Sequence, residues 1–189
     1  MKFIILVLMV LSLVTIVPIG VEAQKGLKTY TVEDEYSFKY PSNWKLEERE
    51  NRFTSVDARL EYGNNDVQVI FERGEETLNF ASNDQLLGAM KTVIESKNSG
   101  AVFESGLDKY VFNNQTAAYA IGTYETEPLF GSALNMVVFV TGVHIADNEL
   151  VLVQYVAEEN DFDKYFPKVE EVLNSISPIN ADNTESPVT

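Results

Sequence analysis

Few residues of this chain are of a type and spacing that could do chemistry. His144 is the only histidine, and Asp147 and Glu149 follow it closely enough that an imidazole and two carboxylates could hold a metal ion at the surface. The plainer reading of the same stretch is an exposed histidine at the end of a strand. A covalent modification is the second candidate: Asn114-Gln115-Thr116 is an N-glycosylation triplet at the expected tip of a hairpin, although such triplets also arise by chance. Acidic residues cluster at Glu47-Glu48-Arg49-Glu50, at Glu75-Glu76, at Glu125 with Glu127, and at Glu158-Glu159 with Asp161 and Asp163. Asn160-Asp161-Phe162-Asp163 reproduces only a fragment of a helix-loop-helix calcium loop, and helix capping accounts for it better.

Several chemistries are excluded by what is missing. The chain has no cysteine, so it has no disulfide framework, thiolate metal site, catalytic thiol or lipid-modified cysteine. It also has no Gly-x-Ser-x-Gly elbow, no phosphate-binding glycine loop and no dinucleotide fingerprint. A glycosidase needs two carboxylates facing each other across a cleft, which sequence alone cannot place. No catalytic or cofactor-binding residue is therefore assigned; calcium is the one cofactor the acidic clusters raise.

Charge narrows the partners. With 29 acidic and 14 basic residues the formal net charge is −15, which repels nucleic acid and anionic lipid headgroups. The N-terminus supplies an address: Lys2 precedes an apolar run from Phe3 to Val17, Pro18 and Gly20 break it, and Val21-Glu22-Ala23 offers small residues for cleavage. Residues 1–23 are expected to be a secretory signal. The alternative is an uncleaved anchor, because Phe3 to Ile19 approaches the ~17–25 residues that can span a bilayer. Either way the domain lies outside the cytoplasm, and no later stretch is apolar and long enough to form a membrane span.

The elements that must position these groups follow from periodicity. Tyr36, Phe38 and Tyr40 alternate with Ser37 and Lys39, which predicts a strand with aromatic rings on one face. Pro41 ends it, Ser42 and Asn43 turn, and Trp44, the only tryptophan, re-enters the core. Thr29 to Val32 should pair with this strand as a hairpin. Thr54, Val56, Ala58, Leu60 and Tyr62 alternate with Ser55, Asp57, Arg59 and Glu61, and after the turn Gly63-Asn64-Asn65-Asp66 the alternation resumes at Val67, Val69 and Phe71.

A helix comes next. Ser82 and Gln85 form a capping box before Leu86, Leu87, Met90, Val93 and Ile94, which share one helical face until Asn98-Ser99-Gly100. Leu107–Phe112 and Ala117–Tyr124 are strands, the second carrying Ala118 and Ala120 where something packs close. The segment 125–131 is a loop that could display Leu129 and Phe130. Ala133–Val143 and Leu150–Val156 are almost continuously apolar, as expected for central strands covered on both faces. Phe162, Phe166, Val169, Val172, Leu173 and Ile176 form one helical stripe, with Asn160, Asp161 or Asp163 as N-cap. Pro167 is tolerable in a first turn, which places the regular helix late in this stretch. Residues 24–177 then form one α+β domain and 178–189 a disordered tail rich in Pro, Asn, Ser and Thr.

Two of these stretches carry a resemblance. An aromatic-alternating strand running into Tyr40-Pro41-Ser42-Asn43-Trp44, and a closing helix ending in Ser175-Ile176, are similar to the PsbP-like domains. The resemblance implies an antiparallel sheet flanked by helices, an α/β/α sandwich, and an accessory or binding role. In photosynthetic relatives that role is support of the oxygen-evolving centre with its calcium and chloride. This chain departs from them in having a secretory signal rather than a Ser- and Arg-rich transit peptide, and it matches no family metal-ligand motif. The expectation is a secreted, non-catalytic accessory or binding module with a protein or cell-surface partner. A calcium- or other metal-binding protein and an extracellular hydrolase are the alternatives.

Overall fold

A computed structural model of the chain describes residues 26–33, 35–48, 56–63, 67–73, 82–97, 101–112, 115–126, 132–146 and 149–179. The signal region 1–23, the tip residue Asn114, the loop residues Leu129 and Phe130, and Asp147 lie outside them. In chain order the elements are β1 (Leu27–Val32), β2 (Tyr36–Pro41), β3 (Lys45–Glu48), β4 (Val56–Tyr62), β5 (Val67–Arg73) and α1 (Asn83–Lys97). They continue as β6 (Val102–Phe112), β7 (Gln115–Glu125), β8 (Asn135–Ala146), β9 (Glu149–Glu158), α2 (Glu159–Asn174) and the two-residue β10 (Ser177–Pro178).

The strands form two sheets rather than one. Seven of them run in the order β3-β4-β5-β9-β8-β7-β6, and β1-β2-β10 make a separate small sheet. Every pairing is antiparallel. The apolar strands β8 and β9 lie in the middle of the large sheet, as their composition requires of strands buried on both faces.

On one face lies α1. Its capping box is formed as the sequence predicts: the Ser82 N–H donates to Gln85 Oε1 at 2.9 Å and the Gln85 N–H to Ser82 Oγ at 3.4 Å. Leu86, Met90 and Ile94 pack on Ala118, Ala120, Val138, Val140, Leu150 and Leu152. Two glycines allow that approach. A Cβ on Gly122 would stand 2.7 Å from Ile94 Cγ2, and one on Gly142 would stand 2.9 Å from Leu150 Cδ1 and 3.2 Å from Leu86 Cδ2.

The other face is covered twice, by α2 and by the small sheet. Phe162, Val169, Val172 and Leu173 of α2 and Tyr36, Phe38 and Tyr40 of β2 belong to one core with Phe71, Phe139 and Tyr155 of the large sheet. Phe38 stacks on Phe71 with ring centroids 4.0 Å apart and 9° between planes. Trp44, 3% exposed, closes the same core beside Tyr62, which in turn meets Tyr165 of α2. The aromatic alternation of β2 thus does what its spacing predicts.

Three local expectations are corrected. Asp57 alternates outward in sequence, yet the β4–β5 register shifts between Val56 and Ala58, and Asp57 is buried. The last helix starts earlier than its proline suggested: it runs from Glu159, its N-cap is Glu158 in extended conformation with no side-chain capping bond, and Pro167 lies inside it. None of Asn160, Asp161 and Asp163 is the N-cap; Asp161 sits in the first turn and pairs with Lys164 at 2.9 Å. Pro167 is exposed, so the carbonyl that loses its partner to the missing N–H can be hydrated. Ser177 and Pro178 pair with Ser37 and Tyr36 of β2, and residues 180–189 of the expected tail lie outside the described residues.

Candidate functional site

Because the rings of Tyr36, Phe38 and Tyr40 take one side of β2, Ser37 and Lys39 are left on the other. Thr29 of β1 is paired with Lys39 and shares that polar side. Beside it runs an open groove of about 940 Å3. Its remaining walls are the end of β8, at His144 and Ala146, and the segment from Asn174 to Pro178, with the buried side chains of Ile145 and Ile176 among the residues beneath.

One wall is fixed by Ser175. Its hydroxyl accepts the Lys39 N–H at 2.7 Å and lies 2.6 Å from the Val172 carbonyl and 3.2 Å from the Lys39 carbonyl. A hydroxyl has one proton, so it donates to one of these carbonyls at a time. The result is a clamp between the last turn of α2 and the middle of β2, and it explains why a serine precedes the buried Ile176. Directly after it, β10 adds to β2, and the Ile179 N–H donates to the Glu35 carbonyl at 2.9 Å.

Among the described residues, the polar groups facing the groove lack the carboxylate partners that several basic residues of this chain have. Lys45, Arg59, Arg73 and Lys164 are each paired with carboxylates. Lys39 and His144 have no ion-pair partner among the described residues, and no described carboxyl group lines the groove. The hydroxyls of Thr29 and Ser37 likewise have no side-chain hydrogen bond among the described residues.

Charge inside the fold is handled elsewhere, between the two sheets. The Tyr36 hydroxyl donates to Asp57 Oδ2 at 3.1 Å, and Arg73 Nη2 lies 3.5 Å from Asp57 Oδ1, whose side chain is 1% exposed. Arg73 Nη1 reaches Glu35 at 2.9 Å, and Nη2 is 3.7 Å from Glu33, the one non-glycine residue with positive φ among the described residues. Burial, and then the neighbouring Asp57 carboxyl, push the Tyr36 phenol well above its ordinary range. Burial also raises the Tyr155 phenol, helped by Asp161 and Asp163, while its hydroxyl donates to the Phe162 carbonyl at 2.9 Å. Both groups are structural: one ties the small sheet to the large one, the other ties β9 to the start of α2.

The residues picked out by sequence are distributed as follows. His144 is exposed and lines the groove, and Glu149 is exposed at the start of β9. In the hairpin His144 is paired with Leu150 and Glu149 with Ala146, across a break in register. Among the described residues no three His, Asp or Glu side chains gather closely enough to hold a metal ion. Glu125 and Glu159 both line a smaller hollow of about 360 Å3, where both are exposed and Glu159 accepts from Asn135 Nδ2 at 3.3 Å. Thr29, Ser37, Lys39 and Ser175 were not singled out by sequence as site residues. The signal that could have found two of them is the polar half of the β2 alternation.

An antiparallel sheet with a helix on each face places the protein among the α+β sandwiches of α/β/α type. The solution structure of cyanobacterial PsbP (CyanoP) from Synechocystis sp. PCC 6803 superposes with a TM-score of 0.51 over 83% of this chain and 95% of that one, at 18% identity. The fold is PsbP-like. The crystal structure of LpqN, involved in cell envelope biogenesis of Mycobacterium tuberculosis, is similar over 80% of this chain and 91% of that one, at 10% identity and a TM-score of 0.48. No protein-family model matches the sequence, and no curated protein sequence matches it. Among the described residues no helix is long and apolar enough to cross a membrane.

Proposed function

We propose that the protein is an extracytoplasmic, non-catalytic binding module built on the PsbP-like fold, and that it meets its cell-surface partner at the groove beside β2. The observation that carries this reading is the set of unpartnered polar groups there: Lys39, His144 and the hydroxyls of Thr29 and Ser37 face an open groove without protein partners among the described residues. The buried hydroxyls of Tyr36, Thr141 and Tyr155, by contrast, are bonded to Asp57, the Ala118 carbonyl and the Phe162 carbonyl. A binding role also fits the chemistry. Of the serines lining the groove, Ser175 is committed to the clamp, its hydroxyl held by the Lys39 N–H and the Val172 carbonyl and paired with no base. The apolar N-terminal run with its Val21-Glu22-Ala23 end supports export.

Two measurements test this. Sequencing the N-terminus of the exported protein should find Gln24 first; protein that keeps Met1 would overturn cleavage. Amide shifts of the labelled protein, recorded against a library of small polar fragments, should move together at residues 29, 37, 39, 144 and 174–178. Shifts confined to other surfaces, or turnover of ester, phosphoester or glycoside substrates that is abolished by Ser37→Ala, would sink the reading.

A further inference from the structure

We propose that the ligand of this groove is a sugar acid, a polyhydroxylated ring carrying a single carboxylate; the inference rests on the groove being the binding site. Three features lead to it. The first is the pattern of donors and acceptors. Thr29 and Ser37 present short hydroxyls along one wall, Ser177 adds one from the 174–178 segment, where it lies 3.4 Å from the Pro178 carbonyl, and His144 offers a ring N–H from the end of β8. Hydroxyls both donate and accept, so a row of them matches a row of ring hydroxyls better than it matches an apolar ligand or a phosphate, which only accepts.

The second feature is charge. Lys39 is a cation with no ion-pair partner among the described residues, in a chain whose acidic residues outnumber its basic ones by 29 to 14. The surplus of negative charge works against any ligand with many anionic groups. At physiological salt the Debye length is about 8 Å, so acids farther away than that are largely screened, and Lys39 is the lysine that lines the groove. One carboxylate suits one lysine; a polyphosphate or a polysulfated chain does not.

Size is the third. About 940 Å3 lies near the upper end of the ~300–1,000 Å3 usual for small-ligand sites. The groove is open along its length, so a sugar acid could enter as the terminal residue of a longer surface glycan. Ala146 and Pro178, exposed on its walls, give the ring's C–H face an apolar contact.

The test uses the purified protein and three probes: a disaccharide ending in glucuronic acid, its methyl ester, and the matching neutral glucose disaccharide. Calorimetry gives affinity, and amide shifts give location. The free acid should bind with shifts at Ser37, Lys39 and Ser177, and should lose about fivefold in affinity in Lys39→Met, as expected for one partly exposed ion pair. The methyl ester should bind the unaltered protein as weakly as the acid binds Lys39→Met, and Ser37→Ala should weaken acid and ester alike. Lys39 is exposed, so its replacement leaves the fold intact. Equal binding of acid, ester and neutral sugar would overturn the proposal. If other fragments move the groove amides while the uronate does not, the sugar-acid inference falls and the binding site stands. If nothing moves them, both fall.

Discussion

Replacing Tyr36 with phenylalanine isolates the bond that ties the small sheet to the large one. The ring keeps its place in the aromatic core, 6.4 Å from Phe38, and only the hydroxyl that donates to Asp57 is removed. Asp57 is 1% exposed at its side chain, so water cannot readily replace the lost donor. A hydrogen bond to a charged group contributes about 1.5–3 kcal/mol, and we expect Tyr36→Phe to cost that much. For a domain of this size the thermal midpoint should fall by roughly 3–12 °C. Urea unfolding followed by the fluorescence of Trp44, the only tryptophan and a buried one, should show the midpoint shift with an unchanged slope. Arg73→Met removes the guanidinium 3.5 Å from Asp57 Oδ1, and the two changes together should couple by about 0.5–3 kcal/mol because they act on the same carboxyl group. A loss below about 0.5 kcal/mol in Tyr36→Phe would show that the bond merely offsets the cost of burying its own hydroxyl. Strict additivity with Arg73→Met would refute the idea that the three residues act as a unit.

Three further outcomes follow from the packing. Gly122→Ala should destabilise by about 1–3 kcal/mol, since its Cβ would stand 2.7 Å from Ile94, and Ile94→Ala in the same chain should relieve part of that cost in denaturant titrations. Ser175→Ala should lower stability by about 1–2 kcal/mol, and hydrogen exchange at the Lys39 amide should accelerate more than exchange in β9, because the clamp holds that amide alone. At high pH the phenols of Tyr36 and Tyr155 keep protons that the unfolded chain releases near pH 10. Their contribution is fully present below pH 10 and is lost as pH rises through their folded values, so the midpoint should drop above pH 10, and less steeply in Tyr36→Phe.

Much of the architecture is legible in local spacing. Period-two runs mark β2, β4 and β5, the apolar runs mark the two central strands, and the Ser82–Gln85 pair marks the start of α1. These features need only near neighbours to be recognised. The burial of Asp57 is not legible in the alternation, because alternation counts residues and a bulge adds one without any residue-type signal. Pro167 misled in the opposite direction: its cost is real, but the stripe from Phe162 to Leu173 buries enough apolar surface to hold the helix through it. The division into two sheets was invisible, since nothing in β1 or β2 says which sheet they join. The groove was less legible still. Lys39 and Ser175 are 136 residues apart in sequence, and His144 comes from a third element, so only the tertiary fold brings them together.

The three-stranded sheet draws its flanking strands from opposite ends of the domain: β1 begins at Leu27, β10 ends at Pro178, and β2 lies between them. Assembly is therefore gated by completion. A chain emerging N-terminus first can zip β1 to β2 early, but β2 has no second neighbour and no serine clamp until nearly the whole domain has appeared. Contacts so far apart close late because loop entropy must be overcome before they form. A copy cut short before Ser175 would lack the clasp that finishes the fold, so truncated molecules would be left open to proteases while intact ones close.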